Sequence, residues 1–152
     1  VFGPQEYHKG DMRSVVHKAY QQIRDTGAVR LFKSYREPYP DGGQLRDFVY
    51  VKDVVRVLQW FLDHPEANGI FNLGTGKART WNDLVNAVFA AMERPAQIDY
   101  IEMPEAIRGQ YQYLTQAQMS KLRAAGCRMK FRSLEEAVAD YIRGHLVQDA
   151  YL

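Results

Sequence analysis

Apolar residues recur at helical spacing in several stretches of the chain, with short aromatic or β-branched runs between them. Met12, Val15, Val16, Ala19 and Ile23 fall on one face of a helix over residues 11–26, which Asp11 can cap and Gly27 can end. Val29 to Lys33 reads as a short strand, and residues 36–43, with two prolines and two glycines, as a loop. Arg46 to Val51 is strand-like. Asp53 is then placed to cap a second helix carrying Val54, Val57, Leu58, Phe61 and Leu62, with Pro65 beyond it. Ile70 to Leu73 reads as a buried strand, followed by a tight turn at Gly74-Thr75-Gly76. Thr80 and Asp83 open a third helix bearing Leu84, Val85, Val88, Phe89 and Met92, and Ile98 to Ile101 forms another strand. Thr115 with Gln118, and Ser133 with Glu136, match the capping box and predict helices over 115–125 and 133–146, with Gly126 at the exit of the first.

Strands and helices therefore alternate, which predicts the α/β class. Only three or four short strands are expected, too few for a doubly wound sheet of its own. The opening Val1-Phe2-Gly3-Pro4 reads as a strand end followed by a turn, so the chain is expected to contribute a few strands and a helical lobe to a larger fold. No internal repeat or low-complexity tract is visible.

Composition narrows the function classes. The 152 residues are 46% apolar and 25% charged, as in ordinary globular domains, and a net charge of +2 with scattered Lys and Arg gives no reason to expect a nucleic-acid partner. A single cysteine, Cys127, rules out a disulfide framework and a cysteine-rich metal site, and fits a reducing cytoplasm. The longest dense apolar run, residues 54–62, is interrupted by Arg56 and Gln59, so no membrane span is expected. His8, His17, His64 and His145 are widely separated and read as surface or helix histidines, with no metal-ligand spacing among them.

Four clusters could carry chemistry. Gly3 to Asp11 leads a His8-Lys9-Gly10 run toward a helix start. Lys9 is there either a solvated loop lysine or a cation placed against a bound anion or reacting carbon. Arg46 follows a glycine-rich loop. Its planar fork suits a diphosphate, and pairing with Asp47 or Asp53 is the alternative. Gly74-Thr75-Gly76 is a partial dinucleotide fingerprint whose third glycine position holds Arg79, so it reads as a turn required by backbone geometry. Residues 107–113, rich in Arg, Gln and Tyr, could grip a sugar-like ligand or form a packed surface loop.

Taken in order, VFGPQEYHKG, RDFVYVKDV, GIFNLGTGKARTWNDL and RGQYQYLTQAQMSKLRAAG resemble the ADP-L-glycero-D-manno-heptose 6-epimerases, within the extended short-chain dehydrogenases that act on nucleotide sugars. The resemblance covers essentially the whole chain and is carried most specifically by the HKG cluster and the RGQYQ stretch. It implies an α/β fold: the C-terminal part of an extended short-chain dehydrogenase, with a few strands of the Rossmann-type sheet and a small mixed α/β substrate-binding lobe. Residues 1–152 would be that substrate-binding portion. The NADP-binding Rossmann domain, with its Gly-rich fingerprint and Tyr-x-x-x-Lys pair, would lie outside them, and these residues alone would be inactive.

The implied reaction inverts heptose C6 by NADP-dependent oxidation and re-reduction. Lys9 matches the family's second base. Such a base needs burial or a neighbouring cation to release its proton near neutral pH, and the nicotinamide ring is the expected cation. Val1 would touch the cofactor through its backbone, and Lys9 would also contact it. Asp11, Lys18, Phe32, Lys33, Ser34, Tyr35, Arg46 and Tyr111 match substrate contacts, with Arg46 on the diphosphate and Tyr111 near the sugar. Asp11 replaces a small hydroxyl found in some members, and Lys18 replaces a His. The family further implies an ADP-heptose substrate, a cytoplasmic location and a homo-oligomer. The alternatives are another nucleotide-sugar epimerase or dehydratase, for which Lys9 is the discriminator, and a non-catalytic sugar-nucleotide-binding module.

Overall fold

The structure, a computed structural model, describes residues 1–149. A short 3-10 run over Tyr7–Met12 precedes helix α1, Val15–Thr26. The helix begins four residues later than Asp11. Gly10, at φ 52°, interrupts helical geometry, and the Ser14 hydroxyl takes the cap by accepting from the His17 N–H at 3.3 Å. Met12, expected on the apolar face, is therefore exposed. Gly27, in the left-handed conformation, ends α1 as expected.

Strand β1, Val29–Phe32, pairs in parallel with β4, Ile98–Ile101. A second sheet has β2, Leu45–Arg46, at its centre, antiparallel to β3, Arg79–Thr80, and parallel to β5, Leu114–Thr115. Of the predicted strand over residues 46–51, only Arg46 lies in this ladder. Tyr50 makes an isolated parallel bridge to Phe2, and α2, Val51–Asp63, starts at once. Asp53 is consequently three residues into α2 and caps nothing. Its buried carboxylate accepts from the Arg132 backbone N–H at 2.9 Å and from the Arg132 guanidinium. Residues 70–73 form no strand, because no ladder partner is present among the described residues, and Ile70 is 88% exposed.

Helix α3, Trp81–Ala91, carries the predicted box in full: Thr80 accepts from the Asp83 N–H, and Asp83 accepts from the Thr80 N–H. The same reciprocal pair forms between Ser133 and Glu136 at the start of α6, Leu134–Tyr141, which runs on into a π-helical turn over Ile142–Leu146. The box predicted at Thr115 does not form. Thr115 is held in β5, and the short helix α5, Ser120–Ala124, begins five residues later and ends at Gly126. Helix α4, Glu105–Arg108, is a single turn.

The main core joins α1, α3 and α6 through Val16, Ala19, Ile23, Leu84, Val88, Phe89, Val138 and Tyr141. Each large aliphatic or aromatic side chain buried there contributes about 1.5–3 kcal/mol. A second cluster packs α2 on α5 through Val57, Met119, Leu122 and Cys127, so Cys127 is a buried apolar group. The mixed α/β class follows the expectation from the sequence, with both parallel and antiparallel pairing. Among the described residues no helix is long and apolar enough to cross a membrane. His17 and His145 are buried within their helical segments, contrary to any surface reading.

Candidate active site

Two adjoining cavities, of about 370 and 200 Å³, share Val15 and Trp81 in their walls. Lys18, Phe32 and Tyr111 border the larger, and Val1 and Arg46 the smaller. The structure thus gathers five of the residues expected from sequence around one groove, drawing them from α1, β1, β2, the N-terminal segment and the 109–113 loop.

Arg46 borders the smaller cavity beside Trp81, which both cavities share. Its guanidinium lies 5.3 Å from the Tyr111 ring centroid and 5.8 Å from that of Trp81. Among the described residues its one side-chain hydrogen bond is to the Leu45 carbonyl, at 2.8 Å. Neither candidate carboxylate reaches it. Asp47 accepts from the N–H groups of Thr75, Gly76 and Ala117 and from the Thr75 hydroxyl. Asp53 is taken by Arg132 and Arg56. The alternative of an Arg46 ion pair is thereby excluded, and a permanent cation faces the groove between two aromatic rings. The same Asp47 contacts explain the Gly74-Thr75-Gly76 turn. A Cβ on Gly74 would sit 2.6 Å from both Ala117 Cβ and Asp47 Oδ2, and Gly76 has φ 73°.

Tyr111 is fixed by its neighbours. Its hydroxyl accepts from the Trp81 Nε1–H at 3.1 Å, and its ring meets Phe32 at 6.5 Å and Tyr113 at 5.7 Å, both edge-on. Trp81 in turn meets Phe48 at 5.1 Å. Tyr113 accepts from the Tyr35 N–H at 2.9 Å, so the 107–113 loop is packed against the site and is not a free surface loop.

Lys33, Ser34 and Tyr35 leave β1 beside the groove and line neither cavity. Lys33 is paired with Glu102 at 2.6 Å, the Ser34 N–H donates to Asp41 at 2.7 Å, and the Arg108 guanidinium lies 4.0 Å from the centre of the Tyr35 ring. Asp11 and Lys18 are brought together, but through the backbone: the Lys18 ammonium donates to the Asp11 carbonyl. Lys9 is exposed on the 3-10 run, and no hydrogen bond or ion pair holds its ammonium among the described residues.

Two contributors escaped the sequence reading. Glu6 is a buried carboxylate that accepts from the Ser14 N–H at 2.7 Å, the Ser14 hydroxyl at 2.6 Å and the Tyr141 hydroxyl at 2.8 Å. It clamps the turn bearing Lys9 to the head of α1 and to α6. Burial, then the bond to Glu6, pushes the Tyr141 phenol far above its usual range, so it remains a donor. Trp81 is the second. Its only local signal is an aromatic at the first position of a capped helix just after a Gly-x-Gly turn.

Comparison with known proteins decides the family. The chain is 60% identical over 146 residues to an ADP-L-glycero-D-manno-heptose-6-epimerase of Nitratidesulfovibrio vulgaris (strain DP4), an alignment that covers 96% of this chain and 45% of the relative. Residues 1–74 match the model of the NAD dependent epimerase/dehydratase family. Residues 1–74 belong to this epimerase/dehydratase family. A second relative of the same name, from Fusobacterium nucleatum, is 48% identical over the whole of this chain and 48% of its own length. The chain thus spans a little under half the length of these relatives. Among solved structures of the family's fold, the Helicobacter pylori ADP-L-glycero-D-manno-heptose-6-epimerase superposes with a TM-score of 0.72 at 26% identity, covering 94% of this chain and 41% of that one. A UDP-N-acetylglucosamine 4-epimerase from Methanobrevibacter ruminantium superposes at 0.77 with 20% identity over 97% of this chain and 44% of that one, a likeness of fold.

Proposed function

We propose that residues 1–152 are the substrate-binding portion of an ADP-L-glycero-D-manno-heptose 6-epimerase that works with a Rossmann-type NADP-binding domain. The observation that carries the reading is Arg46, unpaired with any carboxylate among the described residues and set against Trp81 and Tyr111 at the smaller cavity. A guanidinium so presented binds a diphosphate through parallel N–H donors. The names of the relatives supply the sugar nucleotide, ADP-heptose. The apolar face that α2 leaves exposed at Val55, Leu58 and Leu62 suits burial by a second domain.

In this reading Arg46 holds the diphosphate, Lys18, Phe32 and Tyr111 bound the nucleotide sugar in the larger cavity, and Lys33, Ser34, Tyr35 and Asp11 flank it. The fit to a dinucleotide is partial within this chain. Val1 borders the smaller cavity, and the Lys9 ammonium, without a hydrogen bond or ion pair among the described residues, suits an anionic cofactor, while no complete glycine fingerprint occurs in residues 1–152. When bound, NADP supplies reversible hydride transfer at heptose C6. Lys9 moves the proton of the C6 oxygen on one face of the heptose, as the second of two acid/base groups; the tyrosine of the NADP-binding domain serves the other face. Because Lys9 is exposed here, the low-dielectric surroundings such a base needs come from the bound cofactor and substrate. The family resemblance that motivates this assignment also implies a cytoplasmic homo-oligomer.

The test, on a protein that joins these residues to the NADP-binding domain, is turnover of ADP-D-glycero-D-manno-heptose with NADP⁺, followed by chromatographic separation of the C6 epimers. Loss of a charge-assisted bond costs about 1.5–3 kcal/mol, so Arg46→Met raises KM by roughly 10- to 100-fold. Lys9→Met suppresses kcat and leaves ADP affinity unchanged. Wild-type KM in the Arg46 variant would overturn the diphosphate assignment, and wild-type turnover in the Lys9 variant would favour a different nucleotide-sugar reaction.

A further inference from the structure

We infer that Trp81 is a positioning residue whose indole aims Arg46 and Tyr111 into the groove and so sets the affinity for the diphosphate of a sugar nucleotide. The inference rests on the reading of Arg46 given above. Among the described residues only Val15 and Trp81 border both cavities, and Trp81 alone of the two has a polar atom on its side chain.

Three contacts define the role. The Nε1–H donates to the Tyr111 hydroxyl at 3.1 Å, which engages that oxygen as an acceptor and leaves the phenol's own hydrogen to donate elsewhere. The indole face is one of two rings against the Arg46 guanidinium. The Phe48 ring, 5.1 Å away at 61°, braces the indole. Arg46 comes from β2 and Tyr111 from the loop before β5, so Trp81 joins two groups that the sheet alone holds only by their backbones.

The backbone of Trp81 is itself immobilised. It is the first residue of α3, directly after the Thr80–Asp83 capping box, and its N–H donates to the Gln44 carbonyl at 3.3 Å. A long flexible arginine gains most from such a support, because the rotamers it would otherwise lose on binding are already restricted.

The experiment, on the protein that includes the NADP-binding domain, measures ADP affinity by calorimetry, together with KM and kcat for the nucleotide sugar. Trp81→Phe keeps an aromatic ring and loses the N–H. It weakens ADP binding and raises KM roughly fivefold, with kcat within twofold of wild type. Trp81→Ala, which also loses the ring beside Arg46, weakens binding roughly tenfold or more. If that variant does not fold, Trp81→Phe decides. In a Tyr111→Phe background, Trp81→Phe has little further effect, because the bond it removes is already absent; a purely structural tryptophan would lose the same amount in both backgrounds. ADP affinity within twofold of wild type in both Trp81 variants, alongside a large loss in Arg46→Met, would overturn the inference and leave the functional reading standing. A wild-type protein that binds ADP no more tightly than inorganic phosphate would overturn both.

Discussion

Replacing Tyr141 with Phe tests whether the buried Glu6 clamp holds the N-terminal turn to the core. The Glu6 side chain has three donors: the Ser14 N–H at 2.7 Å, the Ser14 hydroxyl at 2.6 Å and the Tyr141 hydroxyl at 2.8 Å. Tyr141 is fully buried in the main core, so Phe fills the same space and removes one oxygen. A hydrogen bond to a charged group contributes about 1.5–3 kcal/mol. Two of the three donors remain, so the carboxylate is not orphaned, and the lower part of that range applies, about 1.5–2 kcal/mol. For a chain of this size that is a fall in Tm of roughly 3–8 °C. Urea denaturation followed by circular dichroism measures it, with the midpoint shifting and the slope unchanged. The turn that Glu6 anchors bears Lys9, so kcat for the nucleotide sugar falls with it while ADP affinity, set at Arg46, holds. A stability loss below about 0.5 kcal/mol would refute the reasoning, because a donor to a buried carboxylate would then contribute nothing.

Two further perturbations probe the frame around the site. Gly74→Ala places a Cβ 2.6 Å from both Ala117 Cβ and Asp47 Oδ2, and it should cost about 2 kcal/mol by overpacking, measured as a shift in the urea midpoint; an unchanged midpoint would show that the turn yields freely. For His17, burial first and Arg13 next lower the proton affinity, and for His145 burial first and then Lys52 do so. Below about pH 6.5 the unfolded chain therefore binds more protons than the folded one. Stability is fully present above that pH and is lost as pH falls through the depressed native values. Denaturation midpoints should drop between pH 7.5 and 5.5, and a His17→Gln, His145→Gln double variant should flatten the drop; an unaltered slope would contradict the assignment.

What could be read from sequence divides by the range of the interaction that decides each feature. Ser133–Glu136 and Thr80–Asp83 were legible because both halves of each box lie within one turn, and no distant group competes for them. Thr115 and Gln118 show the same pattern and fail. The Leu45 N–H donates to the Tyr113 carbonyl and the Asp47 N–H to the Thr115 carbonyl, so a ladder with β2 takes that backbone before a helix can. Asp53 was misread as a cap for a related reason. Its partner Arg132 is 79 residues further on, and no local rule points to it. Arg46 shows how such long-range bonds reach function. From the sequence its guanidinium could serve a diphosphate or pair with Asp47 or Asp53. The answer lies in the donors of Thr75, Gly76 and Ala117, which saturate one of those carboxylates, and in Arg132 and Arg56, which claim the other. The cation is left for a ligand because the scaffold has used the available anions to fix its own turns. Trp81 completes the arrangement and was the least legible part, since an aromatic at the start of a helix reads as core until the strand and loop that it joins are brought beside it.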